Sequence, residues 1–184
     1  MTIKLANQRL IRYLKQGGII AYPTESCFGL GCDPKNKRAI EKILYLKKRV
    51  RSKGFILISS KINLFNAYIK NITEIQKKEL ITVWPGPHTW TVPASNYCPP
   101  WLKGKTHNIA IRLPEVKSTL KLLNSINFPI TSTSANLSHK QSIKTLRACK
   151  NIFKKKVKII EGNIGNEKKP TTIQDFISKK IIRK

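Results

Sequence analysis

A chain of 184 residues with 40% hydrophobic positions is long enough for one folded domain with its own core, which excludes a disordered or low-complexity polymer. Its 36 lysines and arginines against 9 acidic residues leave a net charge of +27, which points to polyanions as partners: RNA, DNA or nucleotide phosphates. Base-composition drift toward A- and T-rich codons is a competing source of scattered lysines, so a local cationic cluster weighs more than the total.

The first residues, "MTIKLANQRLIRYLKQGG", are interrupted by charge every few positions. They give no signal peptide, and no later segment reaches membrane-spanning length, so no membrane association is expected. Leu5 to Gln16 predicts a helix with Leu10, Ile11 and Leu14 inward, stopped by Gly17-Gly18. Ile19–Tyr22 predicts a buried strand. Asp33-Pro34 predicts an N-cap and first turn of a helix running to about Lys48, with Ile40, Ile43 and Leu44 on its inner face. Phe55–Ser59 predicts a strand, Thr73 the cap of a helix through Leu80, and Trp84–Pro87 a rigid turn. "TWTVP" and Asn108–Leu113 alternate as strands do, and Pro114-Glu115 opens a helix to about Ile126. "FPITSTSAN" predicts a strand that leaves into a polar loop. A helix near Ile143–Cys149, a strand at "VKIIE", and a terminal hairpin of "TTIQDFI" with "KKIIRK" complete the chain. Strands interleaved with helices indicate α/β layering, and the short polar turns favour a mixed sheet over a fully parallel one. No repeat or linker divides the chain, so residues 1–184 are expected to form a single domain.

Cys27, Cys32, Cys98 and Cys149 contain no C-x-x-C pair, and His88, His107 and His139 are not at ligand spacing from them. No protein-held metal is expected; four reduced thiols fit a cytoplasmic protein. Gly29-Leu30-Gly31 lacks the third glycine of a dinucleotide loop, and neither a P-loop nor a G-x-S-x-G elbow is present. His107 is expected to be an exposed strand-edge residue.

Three clusters carry chemistry. In "LKKRVRSKG", Leu46–Gly54, Lys47 falls on the helix's inward stripe, where a lysine costs stability unless it faces a cavity or an anion. If the chain extends beyond the helix, Lys47, Arg49, Arg51 and Lys53 align on one side as a phosphate cradle; the alternative is a solvated cationic helix end. "TSTSAN", Thr131–Asn136, puts short hydroxyls and an amide at the carboxyl end of a strand, where open α/β sheets bind ligands; the alternative is an ordinary capping turn. "YPTESCFG" interrupts a core strand with Thr24, Glu25 and Ser26. Arg112, inside the apolar "IAIRLP", calls for a paired anion from protein or ligand, and Arg183 raises the same question more weakly.

Six segments, "AYPTESCFGLGCDP", "LKKRVRSKGFILI", "VWPGPHTWTVPA", "IAIRLP", "TSTSANLSH" and "PTTIQDF", together resemble the YrdC/TsaC family, the threonylcarbamoyl-AMP synthases of tRNA modification. They come in the family's order and spacing from Gly17 to Arg183. The resemblance implies a YrdC-like fold: a twisted mixed β-sheet flanked by helices around a positively charged concave cavity. It implies conversion of L-threonine, bicarbonate and ATP to threonylcarbamoyl-AMP and pyrophosphate, a nucleotidyltransferase reaction. The product passes to partner proteins that modify adenosine 37 of tRNAs reading codons that begin with A. Carried over by position, the family's K-x-R and S-x-N residues fall on Lys47, Arg49, Ser134 and Asn136, expected to be catalytic. ATP is expected at Arg49, Lys53, Asn108, Ser134, Ser142 and Arg183, and threonine at Thr24, Arg112, Ser132 and Thr171. Mg²⁺ is expected to be held mainly by the triphosphate, because acidic residues are sparse. Val50 stands where many members have proline, and Ile58 where long-form relatives place a histidine near threonine. Direct binding of tRNA or double-stranded RNA is compatible with this assignment. The rivals are an RNA-binding module without chemistry and a carbamoyl-transfer relative of the hydrogenase-maturation type; the roles of Glu25 and Ser26 stay open.

Overall fold

The structure, a computed structural model, describes residues 3–136, 140–153 and 156–184. Leu137, Ser138 and His139, the end of the "TSTSANLSH" segment, lie outside the described residues, as do Met1 and Thr2. The strands, named in chain order, are β1 (Ile20–Pro23), β2 (Phe28–Gly31), β3 (Ile56–Ile58), β4 (His88–Pro93), β5 (Asn108–Arg112), β6 (Ile130–Ser134), β7 (Lys158–Ile159), β8 (Thr172–Asp175) and β9 (Ile181–Arg183). They form one sheet in the order β7-β1-β2-β6-β3-β5-β4-β8-β9. Its pairing is mixed, as the short connections require: β1 and β7, β3 and β5, and β4 and β8 run parallel, the other neighbours antiparallel. The terminal hairpin expected from "TTIQDFI" and "KKIIRK" is the β8–β9 pair.

The helices are α1 (Ile3–Lys15), α2 (Lys37–Lys47), α3 (Glu74–Ile81), α4 (Pro100–Lys103), α5 (Lys117–Ile126) and α6 (Leu146–Phe153). Side-chain alternation along the strands splits the core in two. Leu10 and Leu14 of α1 and Leu122, Leu123 and Ile126 of α5 pack with Ile20, Tyr22, Ile58 and Ile130 on one sheet face. On the other, Ala39, Ile40, Ile43 and Leu44 of α2 meet Ala21, Leu30, Leu57, Ile109 and Ile111. Thr73 and Gln76 close α3 with a reciprocal capping box, as expected of that threonine.

Helix starts depart from the sequence expectation. The N-cap of α2 is Asn36, whose Oδ1 accepts from Ala39 N at 3.0 Å. Asp33 instead takes the Lys35 amide at 2.9 Å and the Lys15 ammonium at 2.8 Å: a carboxylate three residues upstream found better donors outside the helix. Likewise α5 begins at Lys117 rather than at Pro114, and α6 at Leu146 rather than at Ile143. The Ile143 backbone is occupied in strand-like bonds, accepting from Phe28 N at 2.7 Å and donating to Ala135 O at 3.3 Å. All four cysteines are free and buried.

Candidate active site

Four neighbouring strands show one transition on the sheet face that α1 and α5 cover. The inward series of β1, Ile20 and Tyr22, ends two residues on at Thr24. On β6, Ile130 gives way to Ser132 and Ser134; on β3, Ile58 and Ile56 give way to Gly54. Between β1 and β6, β2 presents glycines: a Cβ on Gly29 would stand 3.0 Å from Thr24 Cγ2, and one on Gly31 only 2.4 Å from Thr131 O. Beneath the helices these rows are apolar. Past the edge of the helices they become hydroxylated or lack side chains, and there they line a cavity of about 350 Å³. The hydroxyls of "YPTES" and "TSTSAN" are therefore the continuation of core rows into a ligand-sized hollow.

Charge in that hollow is one-sided. Arg49, Lys53, Lys103, Arg112 and Arg183 line it, and no carboxylate does among the described residues. Arg183 donates through Nε and Nη2 to Thr171 O at 3.1 and 2.7 Å, and through Nη2 to Thr171 Oγ1 at 3.1 Å. Arg49 Nη2 donates to Gly54 O at 2.9 Å, while its Nε is buried without a partner. Burial and the nearby Arg183 charge lower the Arg49 pKa, and burial and Arg112 lower that of Arg183. Neighbouring cations with no facing carboxylate gain when an anion enters.

Arg112, 4% exposed, has a permanent partner in Glu25, 1% exposed: Nη2 to Oε2 is 3.2 Å. The Arg112 Nε is buried and unpartnered. An arginine in an apolar strand thus finds its counter-ion in the carboxylate that interrupts β1. A strap from the C-terminal segment holds that carboxylate's backbone, Gly165 N donating to Thr24 O at 2.9 Å and Glu167 N to Glu25 O at 3.0 Å. Thr24 Oγ1 donates to Cys27 O at 2.7 Å, which leaves its lone pairs free to accept.

The basic loop after α2 does not extend. Lys48 takes a left-handed conformation, φ 50° and ψ 44°, and residues 51–53 form a single 3₁₀ turn. That turn sends Arg51 outward to Glu41 at 3.4 Å, with its side chain 77% exposed, so Arg51 leaves the expected cradle while Arg49 and Lys53 remain on the cavity wall. Lys47 is 3% exposed and stands behind the wall. Its ammonium donates to Ser134 O, to Asn136 O at 2.8 Å and to Asn136 Oδ1 at 2.9 Å. Ser134 Oγ donates to the same Oδ1 at 2.7 Å. Burial, reinforced by the Arg49 charge, lowers the Lys47 pKa to about 8.

Comparison with known proteins gives the family and bears out the fold. Residues 12–184 match the Sua5/YciO/YrdC family model, described as Telomere recombination. The chain belongs to the Sua5/YciO/YrdC family. It is 43% identical over 174 residues to a protein of Methylobacillus flagellatus named threonylcarbamoyl-AMP synthase, covering 95% of this chain and 97% of that one. Its fold superposes on P. abyssi Sua5 complexed with L-threonine, with a TM-score of 0.84 and 26% identity, across 95% of this chain and 52% of that longer one. E. coli YciO gives a TM-score of 0.80 at 25% identity, covering 100% of this chain and 90% of that one.

Within this YrdC-like fold the expected site residues gather closely. Thr24 comes from the end of β1, and Arg49 and Lys53 from the basic loop. Asn108 and Arg112 sit on β5, Ser132 and Ser134 on β6; Ser142, Thr171 and Arg183 complete the wall. Lys47 and Asn136 support it from behind. Val50 is 56% exposed on the loop, and Ile58 is buried beneath α1 and α5 rather than on the cavity. Sequence reasoning missed Lys103, Thr106 and Thr91, which also line the cavity. The broken basic run "KGKT" after Trp101 was the available signal for the first two; Thr91, one of many strand threonines, gave none.

Proposed function

We propose that this protein is a nucleotidyltransferase that makes L-threonylcarbamoyl-AMP and pyrophosphate from L-threonine, bicarbonate and ATP, with loss of water. The observation that carries the proposal is a cavity walled, among the described residues, by five cations and no carboxylate, with small hydroxyls between them. Three anionic groups must meet there: a triphosphate, a carbamate and an amino-acid carboxylate. The names of the family relatives point the same way.

Arg112, with Thr24, Ser132 and Thr171, takes the threonine carboxylate and hydroxyl. Arg49, Lys53, Ser134, Ser142 and Arg183 take the triphosphate, with Asn108 beside the nucleoside. Threonine's amine adds to the one-carbon acid, and the carbamate oxygen then attacks the α-phosphorus while pyrophosphate leaves. No side chain forms a covalent bond. Arg49 and Lys53 offset charge building on the phosphoryl oxygens, and the cavity shields the short-lived carbamate from bulk water. Lys47 and Asn136 contribute by fixing Ser134. Mg²⁺ would be held mainly by the triphosphate oxygens, where it would offset phosphate charge, since acidic residues are sparse in the chain; no step is assigned to it.

The product serves the threonylcarbamoyl-transfer machinery acting on tRNA in the cytoplasm; no helix among the described residues is long and apolar enough to cross a membrane. The test is pyrophosphate release from ATP with bicarbonate and threonine. Release that persists unchanged without threonine, or no release at all, sinks the proposal. A module that only binds RNA would bind RNA with strong salt dependence and ignore threonine.

A further inference from the structure

Asp175, on β8 opposite Thr91, accepts hydrogen bonds at both of its carboxylate oxygens. Ser178 N and Ser178 Oγ both donate to Oδ1 at 2.9 Å. Thr91 Oγ1 donates to Oδ2 at 2.9 Å and Asn108 Nδ2 to the same oxygen at 2.8 Å. Burial pushes the Asp175 carboxyl up, but the bonds from Ser178, Thr91 and the Ile177 backbone outweigh it and hold the group below the usual range. An ionised carboxylate only accepts, so the Asn108 amide has one allowed orientation, with its NH₂ on Asp175. Asn108 also lines the cavity beside Gly54 and Ala110. Among the described residues nothing donates to its Oδ1.

We infer that Asp175 is a positioning residue: it makes Asn108 an obligate hydrogen-bond acceptor toward the bound nucleotide, so that this end of the cavity selects a ligand presenting an N–H or O–H donor. In ATP the donor that this polarity discriminates is the exocyclic amine of adenine, because a ribose hydroxyl can accept as well as donate. The inference rests on the ATP reading above. A nucleotide with an acceptor in place of the donor sets two lone pairs against each other, a loss of roughly tenfold in affinity.

Asp175→Asn tests the switch, because it inverts the polarity. The Ser178 backbone N–H can only donate, so the oxygen of the new amide stays on that side and its NH₂ faces Thr91 and Asn108. Thr91 Oγ1 can turn and accept; Asn108 must flip and offer its own NH₂ to the nucleotide. The measurement is calorimetric affinity for ATP, ITP, 2′-deoxyATP and 3′-deoxyATP, with the melting temperature of the variant as the check on folding.

ITP exchanges the exocyclic amine for an oxo acceptor, and the deoxynucleotides each remove one hydroxyl. The unsubstituted protein should prefer ATP to ITP by roughly tenfold. In Asp175→Asn the ATP-to-ITP ratio should reverse, while the deoxynucleotides serve as controls, because a ribose hydroxyl accepts from the flipped amide as readily as it donates to the native one. Asn108→Ala, which leaves the Asp175–Thr91 tie intact, should erase the preference and serves if Asp175→Asn fails to fold. Equal affinity for ATP and ITP in the unsubstituted protein overturns the inference, as does an unchanged ATP-to-ITP ratio in folded Asp175→Asn. Failure to bind ATP at all overturns the nucleotide reading and this inference with it.

Discussion

The Lys47 ammonium stands 2.9 Å from the amide oxygen of Asn136, 89 residues away in sequence, and ties the end of α2 to the loop that leaves β6. The same ammonium also carries the Ser134 and Asn136 carbonyls, so all three of its N–H donors are used on protein oxygens. The lysine at the K-x-R position is thereby tied to the amide oxygen that also receives the Ser134 hydroxyl.

Lys47→Met should destabilise the protein. It strands the Asn136 carbonyl, while Ser134 O keeps the Asn136 N–H and Asn136 Oδ1 keeps the Ser134 hydroxyl, so the expected cost is about 1–3 kcal/mol, mainly from that one carbonyl. Thermal melting measures it, and activity should fall with the ordering of Ser134. A variant that melts like the parent yet has lost activity would assign Lys47 to direct contact with ATP.

The same lysine predicts a pH response. With its folded pKa lowered to about 8 and the unfolded value near 10.4, the native state releases this proton first. The stability cost of burying the charge is fully present below about pH 8 and shrinks as pH rises toward 10. Activity should move the other way, falling as pH rises through about 8, because the neutral amine keeps two donors for three acceptors. Melting and rate profiles of the parent against Lys47→Met separate the two trends; an alkaline limb that the variant shares belongs to another group.

Glu25→Gln should cost about 3–5 kcal/mol, since it strands the Arg112 guanidinium as an uncompensated buried charge. Adding Arg112→Met removes the stranded charge. The double variant should regain most of the lost stability but none of the threonine dependence. Denaturant melts of the two single variants and the double form the cycle; additive losses would show that the two groups do not act as a pair.

Much of this fold is legible in the sequence, and the departures share a cause. Strand positions and the terminal hairpin follow from alternation and turn residues, which are local. Arg112 announces a buried partner because a guanidinium flanked by Ile111 and Leu113 is too costly to bury alone. Its identity as Glu25, 87 residues earlier, depends on strand order. Asp33 has the composition of a cap, but the competing donors, Lys35 N and the Lys15 ammonium, arrive only on folding. Arg51 joins the cradle only in an extended chain; the left-handed Lys48 and the 3₁₀ turn after it rotate that side chain away. Local pattern sets the elements, and long-range pairing decides which polar groups face each other.

That turn yields another prediction at Gly54. Its φ of 55° with ψ of −167° lies in a region that only glycine occupies readily, and a Cβ there would stand 2.7 Å from Leu102 O. Gly54→Ala should cost about 1–3 kcal/mol from backbone strain alone and should shift Arg49, which donates to Gly54 O. The readouts are a lowered melting temperature and a raised KM for ATP. A variant with unchanged melting would show that the turn relaxes without strain.

Strand β9 gives the last prediction. Ile181 and Ile182 are 48% and 59% exposed, and among the described residues β9 pairs only with β8, so little apolar burial depends on it. Arg183 and Ile182 nevertheless line the cavity, Arg183 clamped to Thr171 by three hydrogen bonds. Deleting residues 181–184 should lower the melting temperature by only a few degrees, in keeping with about 1 kcal/mol of lost contacts, while weakening ATP binding at least tenfold. Arg183→Ala should reproduce most of the affinity loss with still less effect on melting, because the clamp rather than the strand meets the ligand. If the deletion abolishes binding and Arg183→Ala leaves it intact, β9 matters as a wall and the guanidinium does not.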